Sequence, residues 1–141
     1  MVEIIRIIDD GKKVADAIDA TLDAQALALG KPFDPVQFNF EARDADGQYL
    51  GGLSGYAQLG WLFVKLLGLT PQARGQGVGK QLLERAETEA RQAGFIGVYL
   101  DTFEFQAPGF YQKLGYTEFG RLPQIGDHPQ RIWFAKILAS S

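Results

Sequence analysis

The chain has 141 residues, of which 46% are hydrophobic and 22% are charged. These proportions are typical of a soluble globular protein, and the length predicts a single domain over residues 1–141, with one hydrophobic core. The formal net charge is −3, the basic residues are scattered and cysteine is absent, which argues against a nucleic-acid surface and excludes disulfides and thiolate sites.

The N-terminus and the most apolar stretch bear on localisation. Glu3, Arg6 and Asp9 interrupt the first apolar residues, so this segment does not resemble a signal peptide. The apolar stretch at 59–69 contains Lys65 and is shorter than the roughly 18 residues that span a bilayer. We therefore expect a cytoplasmic protein that does not bind membranes.

Hydrophobic periodicity predicts alternating strands and helices. The isoleucine-rich residues 2–8 predict a strand, and a helix is predicted over 12–29. Three strands follow, with the hairpin signal Asp46-Gly47 between the first two. These three strands are predicted at 38–43, 48–57 and 61–69. The elements after them are predicted as a helix at 77–93, a strand at 96–101, a short helix at 107–114, and strands at 116–122 and 131–138.

The way these strands are connected predicts the fold class. Some follow one another as hairpins, whereas others are separated by helices. Hairpins join antiparallel strands and helical crossovers join parallel ones. We therefore expect an α/β fold with a mixed, mostly antiparallel sheet of six to seven strands and helices on both faces.

A glycine-rich turn between the strand at 61–69 and the following helix is the most informative segment. It contains Gly75, Gly77 and Gly79, and glycine lets a backbone approach a ligand closely. The free amides and the dipole at a helix N-terminus bind phosphate or pyrophosphate. Gln81 follows Lys80 where a Walker loop has a serine or threonine for magnesium, and Lys80 stands where a dinucleotide fingerprint needs glycine. Both of those alternatives are disfavoured.

Two motifs together give the sequence a family resemblance. Arg74, Gly77 and Gly79 match the acetyl-coenzyme A motif of the GNAT N-acetyltransferase superfamily. Downstream, residues 107–116 (APGFYQKLGY) resemble a second GNAT pattern, of alanine, tyrosine, a polar pair, glycine and an aromatic residue. The chain thus resembles a small single-domain member, and the predicted element order fits that family from residue 2 to 138.

The resemblance implies a cofactor site and a splayed pair of parallel strands that admits the acetyl group. The pantetheine arm would pair with the backbone of the strand before the turn, and the turn would hold the pyrophosphate. Tyr111 would be the general acid for the leaving thiolate, and Glu104 stands where many members carry a cofactor-contacting asparagine. The residues implied in cofactor binding are Leu67, Gly68, Leu69, Arg74, Gly75, Gln76, Gly77, Val78, Gly79 and Lys80.

The reaction that the resemblance implies is direct transfer from acetyl-coenzyme A to a primary amine in a ternary complex. The acceptor is a small-molecule or peptide amine, and no metal is expected. Asp101 or Glu104, acting through water, is a candidate base, and a mechanism without a dedicated base stays open. The alternatives are a non-catalytic acyl-coenzyme A sensing module and, less favoured, a nucleotide-binding regulatory domain. Apolar residues on both faces of the last strand predict a homodimer.

Overall fold

The computed structural model describes residues 1–139, which form two compact units. The first, Met1–Asp34, contains one helix, α1 (Lys12–Ala28), as predicted. Gly11 precedes α1 with a left-handed backbone (φ +76°). The Asp9 carboxylate accepts a hydrogen bond from the amide of Gly11 (2.7 Å), and the Asp10 carboxylate accepts one from Lys12 (3.0 Å). Local side-chain acceptors thus define where the helix begins.

The prediction of a strand at 2–8 is wrong. In the part of the chain that the structure describes, these residues form neither a strand nor a helix. The isoleucines favour extended backbone, but strand propensity reflects packing in a sheet more than an intrinsic preference. The composition therefore predicted a strand, but residues 2–8 make no ladder hydrogen bonds to a neighbouring strand in the described structure.

The second unit begins at Pro35 and contains a mixed sheet. Its strand order is β1-β2-β3-β4-β6-β5, and the single parallel pair is β3–β4. The predicted fold class is confirmed, and the predicted elements from residue 38 onward agree with the observed ones. These are β1 (Val36–Arg43), β2 (Tyr49–Gln58), β3 (Trp61–Leu69), a 3₁₀ turn (Pro71–Ala73), α2 (Val78–Gln92), β4 (Gly97–Phe103), α3 (Pro108–Lys113), β5 (Thr117–Arg121) and β6 (Arg131–Ile137).

The core of this unit lies between the sheet and α2. Leu82, Leu83, Ala86 and Ala90 recur at helical spacing and are buried, as an amphipathic helix requires. They meet the alternate residues of the strands that point to the same face, among them Phe134. Burying one such leucine contributes about 1.5–3 kcal/mol, so this seam fixes where the N-terminus of α2 lies.

The last strand, β6, lies between β4 and β5 and pairs with both. Its residues Ile132 and Phe134 are buried in the core. The apolar character of β6 is therefore largely explained by its central place in the sheet. The homodimer stays a prediction.

A buried ion pair connects α2 to β6. Glu87 of α2 is almost fully buried, and its carboxylate accepts hydrogen bonds from the Tyr116 hydroxyl (2.7 Å) and the Lys136 ammonium (2.9 Å). Lys136 also donates to the carbonyl of Leu114 (3.0 Å). Burial and the charge of Glu87 raise the pKa of Tyr116, so its hydroxyl keeps the proton it donates. Within residues 1–139, no helix has the length and apolarity needed to cross a membrane.

Candidate active site

The site begins where the parallel strands β3 and β4 separate. Their pairing runs from Trp61 opposite Gly97 to Val64 opposite Leu100. On the other side of β3, the ladder with β2 passes from Val64 to Leu66 and omits Lys65, which is a β-bulge. A bulge bends a strand and increases its twist. The bulge therefore coincides with the opening between β3 and β4.

Gly55 makes the bulge possible. A Cβ at this position would lie 2.1 Å from the carbonyl oxygen of Phe63 on β3. That distance is far inside van der Waals contact, so only glycine lets the two backbones approach so closely. Gly55 on β2 thus permits the irregularity on β3 that opens the cleft.

The cleft between the separated strands has a volume of about 300 Å³. In the described structure, β3 beyond Val64 pairs only with β2, and β4 beyond Leu100 pairs only with β6. The facing edge of β3 therefore offers unpaired backbone groups to a ligand. The cleft is lined by Val64, Lys65, Leu66, Leu67, Leu100, Asp101, Thr102, Phe103, Gln106, Ala107 and Tyr111.

The glycine-rich turn leads from the end of β3 into α2. Gly75 and Gly77 both have left-handed backbones (φ +76° and +78°), and Gly77 caps α2. Within the described chain, no side chain bonds to the amides at this cap and no acidic residue lies in the first turn. These amides and the positive end of the helix dipole are therefore available to an anion.

Gly79 explains how closely the helix N-terminus approaches its neighbours. A Cβ at Gly79 would lie 3.3 Å from the ring of Phe110 and 3.5 Å from a methyl of Leu69. The glycine thus lets α2 pack against both β3 and α3. The predicted cofactor residues at 67–69 and 74–80 consequently follow one another around a single corner of the unit. Their role stays a prediction.

Tyr111 of α3 lines the cleft. Its ring packs 6.0 Å from the rings of Tyr116 and Phe134, measured between centroids, whereas its neighbour Phe110 packs against Gly79. Burial, and secondarily the charge of Asp101, raise the pKa of Tyr111 above its ordinary value of 10.0. The hydroxyl is therefore protonated at neutral pH, which is the state that a proton donor needs.

The structure separates the two predicted carboxylates. Asp101 lines the cleft, and its Oδ1 accepts a hydrogen bond from Nε of Arg131 (2.9 Å) and lies 2.8 Å from Nη2 in the same ion pair. The guanidinium of Arg131 also lies over the rings of Phe103 and Trp133. Glu104 is exposed, is not among the residues that line the cleft, and donates its amide to the carbonyl of Gln130 (2.9 Å). The cleft therefore brings Tyr111 together with Asp101 but not with Glu104.

Sequence reasoning missed Gln106, which shapes one wall of the cleft. Its side-chain oxygen accepts hydrogen bonds from the Thr102 hydroxyl and the Phe103 amide, both at 3.0 Å. These bonds close the turn between β4 and α3. A polar residue just before a short helix is the available sequence signal, but its partners depend on the turn geometry. Elsewhere in residues 1–139, no three histidine or acidic side chains gather as metal ligands would.

Comparison with known proteins agrees with this geometry. Residues 40–118 match the family model described as an acetyltransferase (GNAT) domain. An acetyltransferase of Agrobacterium fabrum is 37% identical over 120 residues, covering 85% of this chain and 88% of the relative. The blasticidin-S acetyltransferase of Streptomyces morookaense is 46% identical over 87 residues, covering 61% and 62%.

A solved structure gives the same result for the fold. The crystal structure of a protein assigned as an acetyltransferase from Agrobacterium tumefaciens superposes with a TM-score of 0.85 at 34% identity, covering 97% of this chain and 99% of that one. The family-model match spans more than half of the chain, and the first relative exceeds 30% identity over most of its length. The chain belongs to the GNAT family of acetyltransferases and is an acyltransferase.

Proposed function

We propose that the protein transfers the acetyl group of acetyl-coenzyme A to a primary amine of a small-molecule acceptor, directly and within a ternary complex. The observation that carries this proposal is the cleft between β3 and β4, which has Tyr111 on its wall and is lined by the strand that leads into the glycine-rich turn. One end of this site suits an anion and the other suits a proton transfer. The arrangement matches what acyl transfer from a phosphate-bearing thioester requires.

The residues present fit the proposed cofactor. The amides from Gln76 to Lys80 would hold the pyrophosphate, because they include the amides at the N-terminus of α2 that no side chain caps in the described structure. Arg74 lies beside them, and the unpaired edge of β3 at 67–69 would bind the extended pantetheine arm. Bound there, acetyl-coenzyme A would supply an activated acetyl thioester.

Two side chains of the cleft would handle protons. The Tyr111 hydroxyl would donate its proton to the departing sulfur. Asp101 is the carboxylate that lines the cleft, and its Oδ1 is bonded to Arg131. Proton removal from the amine would therefore involve Asp101 through water, with Arg131 holding the carboxylate in place.

A small-molecule acceptor is favoured over a protein. Of the two relatives described above, the Streptomyces morookaense protein has the higher identity, and its name is blasticidin-S acetyltransferase. We propose that this chain likewise acetylates a small amine.

The test is a panel of amines assayed for released coenzyme A thiol, with wild type and Tyr111→Phe. General acid help is typically worth about 10²–10⁴-fold. The leaving thiol has an ordinary pKa of about 8.5, so we expect a loss near 10²-fold in turnover for Tyr111→Phe. The affinity for acetyl-coenzyme A should stay unchanged, because the ring and its packing remain.

Tyr99→Phe is the matched control. Tyr99 also has a raised pKa, chiefly through burial, but its ring stacks on Phe63 and does not line the cleft. Equal turnover by Tyr111→Phe and wild type would remove Tyr111 from the mechanism. If wild type binds acetyl-coenzyme A but acetylates no amine, the protein is instead a sensor of acyl-coenzyme A.

A further inference from the structure

A second cavity on the sheet adjoins the cleft, and we call it the sheet groove. It has a volume of about 720 Å³ and lies over β1, β2 and β3, where Asn39, Glu41, Tyr49, Gly52, Ser54 and Gly68 contribute to its lining. Leu66 and Leu67 line both the sheet groove and the cleft. The two cavities therefore meet at these two residues of β3, and the sheet groove lies within the size range of small-molecule sites.

A pair of glycines forms part of the floor of the sheet groove. Gly52 on β2 and Gly68 on β3 lie directly opposite each other in the ladder. Glycine in a strand interior costs roughly 0.5–1 kcal/mol relative to alanine and leaves no cross-strand contact. Two facing glycines therefore weaken the sheet here, and glycine in a strand often marks a place where a ligand approaches the backbone.

Nothing local requires glycine at position 68. Its φ lies outside the left-handed region, and an added Cβ would meet no described atom within 4 Å. Leu67 and Leu69 on either side pack against the core, so a side chain at Gly68 would point away from the core and into the sheet groove. The effect of having glycine at this position is to keep the sheet groove open.

The polar lining indicates what chemistry the sheet groove accepts. Among the described residues that line it, Glu41 is the one charged side chain. Arg43 donates both its Nε and its Nη2 hydrogen bonds to Oε2 of Glu41, so Oε1 faces no donor within that pair. The Ser54 hydroxyl donates to the side-chain oxygen of Asn39 (2.6 Å). The ion pair with Arg43 offsets the charge of Glu41, but Oε1 remains an acceptor beside fixed amide and hydroxyl groups. This lining suits a cationic, hydrogen-bonding ligand.

We propose that the sheet groove is the acceptor subsite. It takes small molecules that carry a second cationic nitrogen group besides the reacting amine, with Glu41 recognising that second cation. The proposal rests on the acetyl transfer proposed above and names the class of acceptor. The reacting amine lies in the cleft, and the body of the acceptor extends over Leu66 and the glycine floor.

The first experiment compares matched pairs of acceptors, such as 1,5-diaminopentane against pentylamine and 5-guanidinopentylamine against the same monoamine. Wild type should use the dicationic partner with a kcat/KM at least tenfold higher. Glu41→Gln removes the charge but keeps the shape, and it should lower kcat/KM for the dications roughly tenfold. The same variant should change kcat/KM for pentylamine less than twofold. Monoamines used as well as dications by wild type, or an unchanged ratio in Glu41→Gln, would overturn the proposal.

The second experiment fills the sheet groove. Gly68→Leu should lower kcat/KM for the dications at least tenfold. Gly120→Leu on β5 is the control, because a Cβ at Gly120 also meets no described atom within 4 Å and its φ is also outside the left-handed region. Calorimetric binding of 1,5-diaminopentane is measured alongside turnover. If folded Gly68→Leu binds 1,5-diaminopentane with the affinity of wild type, the groove assignment alone is refuted. If wild type releases no thiol with any amine, the acetyl transfer itself is refuted.

Discussion

Removing the cation of the buried pair between α2 and β6 should destabilise the protein more than removing both charges. In Lys136→Met the side chain keeps its length but loses its ammonium. Glu87, whose side chain is 6% exposed, then keeps a buried carboxylate with one remaining donor, the Tyr116 hydroxyl. Breaking a buried pair in this way costs about 3–5 kcal/mol.

The structure places the expected loss near the lower limit. The Lys136 side chain is 26% exposed, so part of its interaction with Glu87 is already screened by water. Tyr116 continues to donate to the carboxylate. We therefore expect the free energy of unfolding to fall by about 3 kcal/mol, which corresponds to a melting temperature about 10 °C lower for a domain of this size.

The double variant Glu87→Gln/Lys136→Met provides the decisive comparison. Glutamine offers a carbonyl oxygen to the Tyr116 hydroxyl and leaves no buried charge. We expect this variant to lose only about 1 kcal/mol, since replacing both members of a buried pair is often nearly neutral. Urea unfolding followed by circular dichroism gives each free energy, provided that the m-values agree. A Lys136→Met protein within 1 kcal/mol of wild type, or a double variant no more stable than the single one, would refute the reasoning.

Two further outcomes follow from the site. Gly77→Ala and Gly94→Ala alter the two ends of α2, where both glycines have left-handed backbones and open space around them. Each variant should therefore lose about 1–2 kcal/mol of stability. Only Gly77→Ala should also weaken acetyl-coenzyme A binding measured by calorimetry, and equal affinities of the two variants would contradict the role of the turn. Because the pKa of Tyr111 is raised above 10.0, its protonated donor form persists as pH rises and is lost only above pH 10. A fall in kcat below pH 9 that disappears in Tyr111→Phe would contradict this raised pKa.

Local patterns predicted most of the second unit because its elements carry clear periodicity. The alternation along β1 and the helical spacing of Leu82, Leu83, Ala86 and Ala90 depend on burial within a few residues of chain. The glycine-rich turn and Tyr111 were likewise recognised from short motifs. The strand predicted at 2–8 was wrong because composition describes propensity, whereas a strand exists only where backbone groups find ladder partners.

The remaining features of the site depend on register, which local patterns do not specify. Arg131 reaches Asp101 because β6 pairs with β4 across a separation of 30 residues. The bulge at Lys65 and the facing glycines Gly52 and Gly68 are set by the β2–β3 ladder. A sequence supplies these residues, but their proximity follows from the order of strands in the sheet.

The insertion of β6 beside β4 has a consequence for the order of events during synthesis. β4 is held by β3 only from Gly97 to Leu100, and its cleft-forming half pairs only with β6 in the described structure. Non-local strand pairing is slow, because the connecting chain must be ordered before the contacts form. One wall of the cleft therefore has no partner until residues 131–137 have left the ribosome and docked. We expect β1, β2, β3 and α2 to pack together in the nascent chain before β6 completes both the core and the cleft.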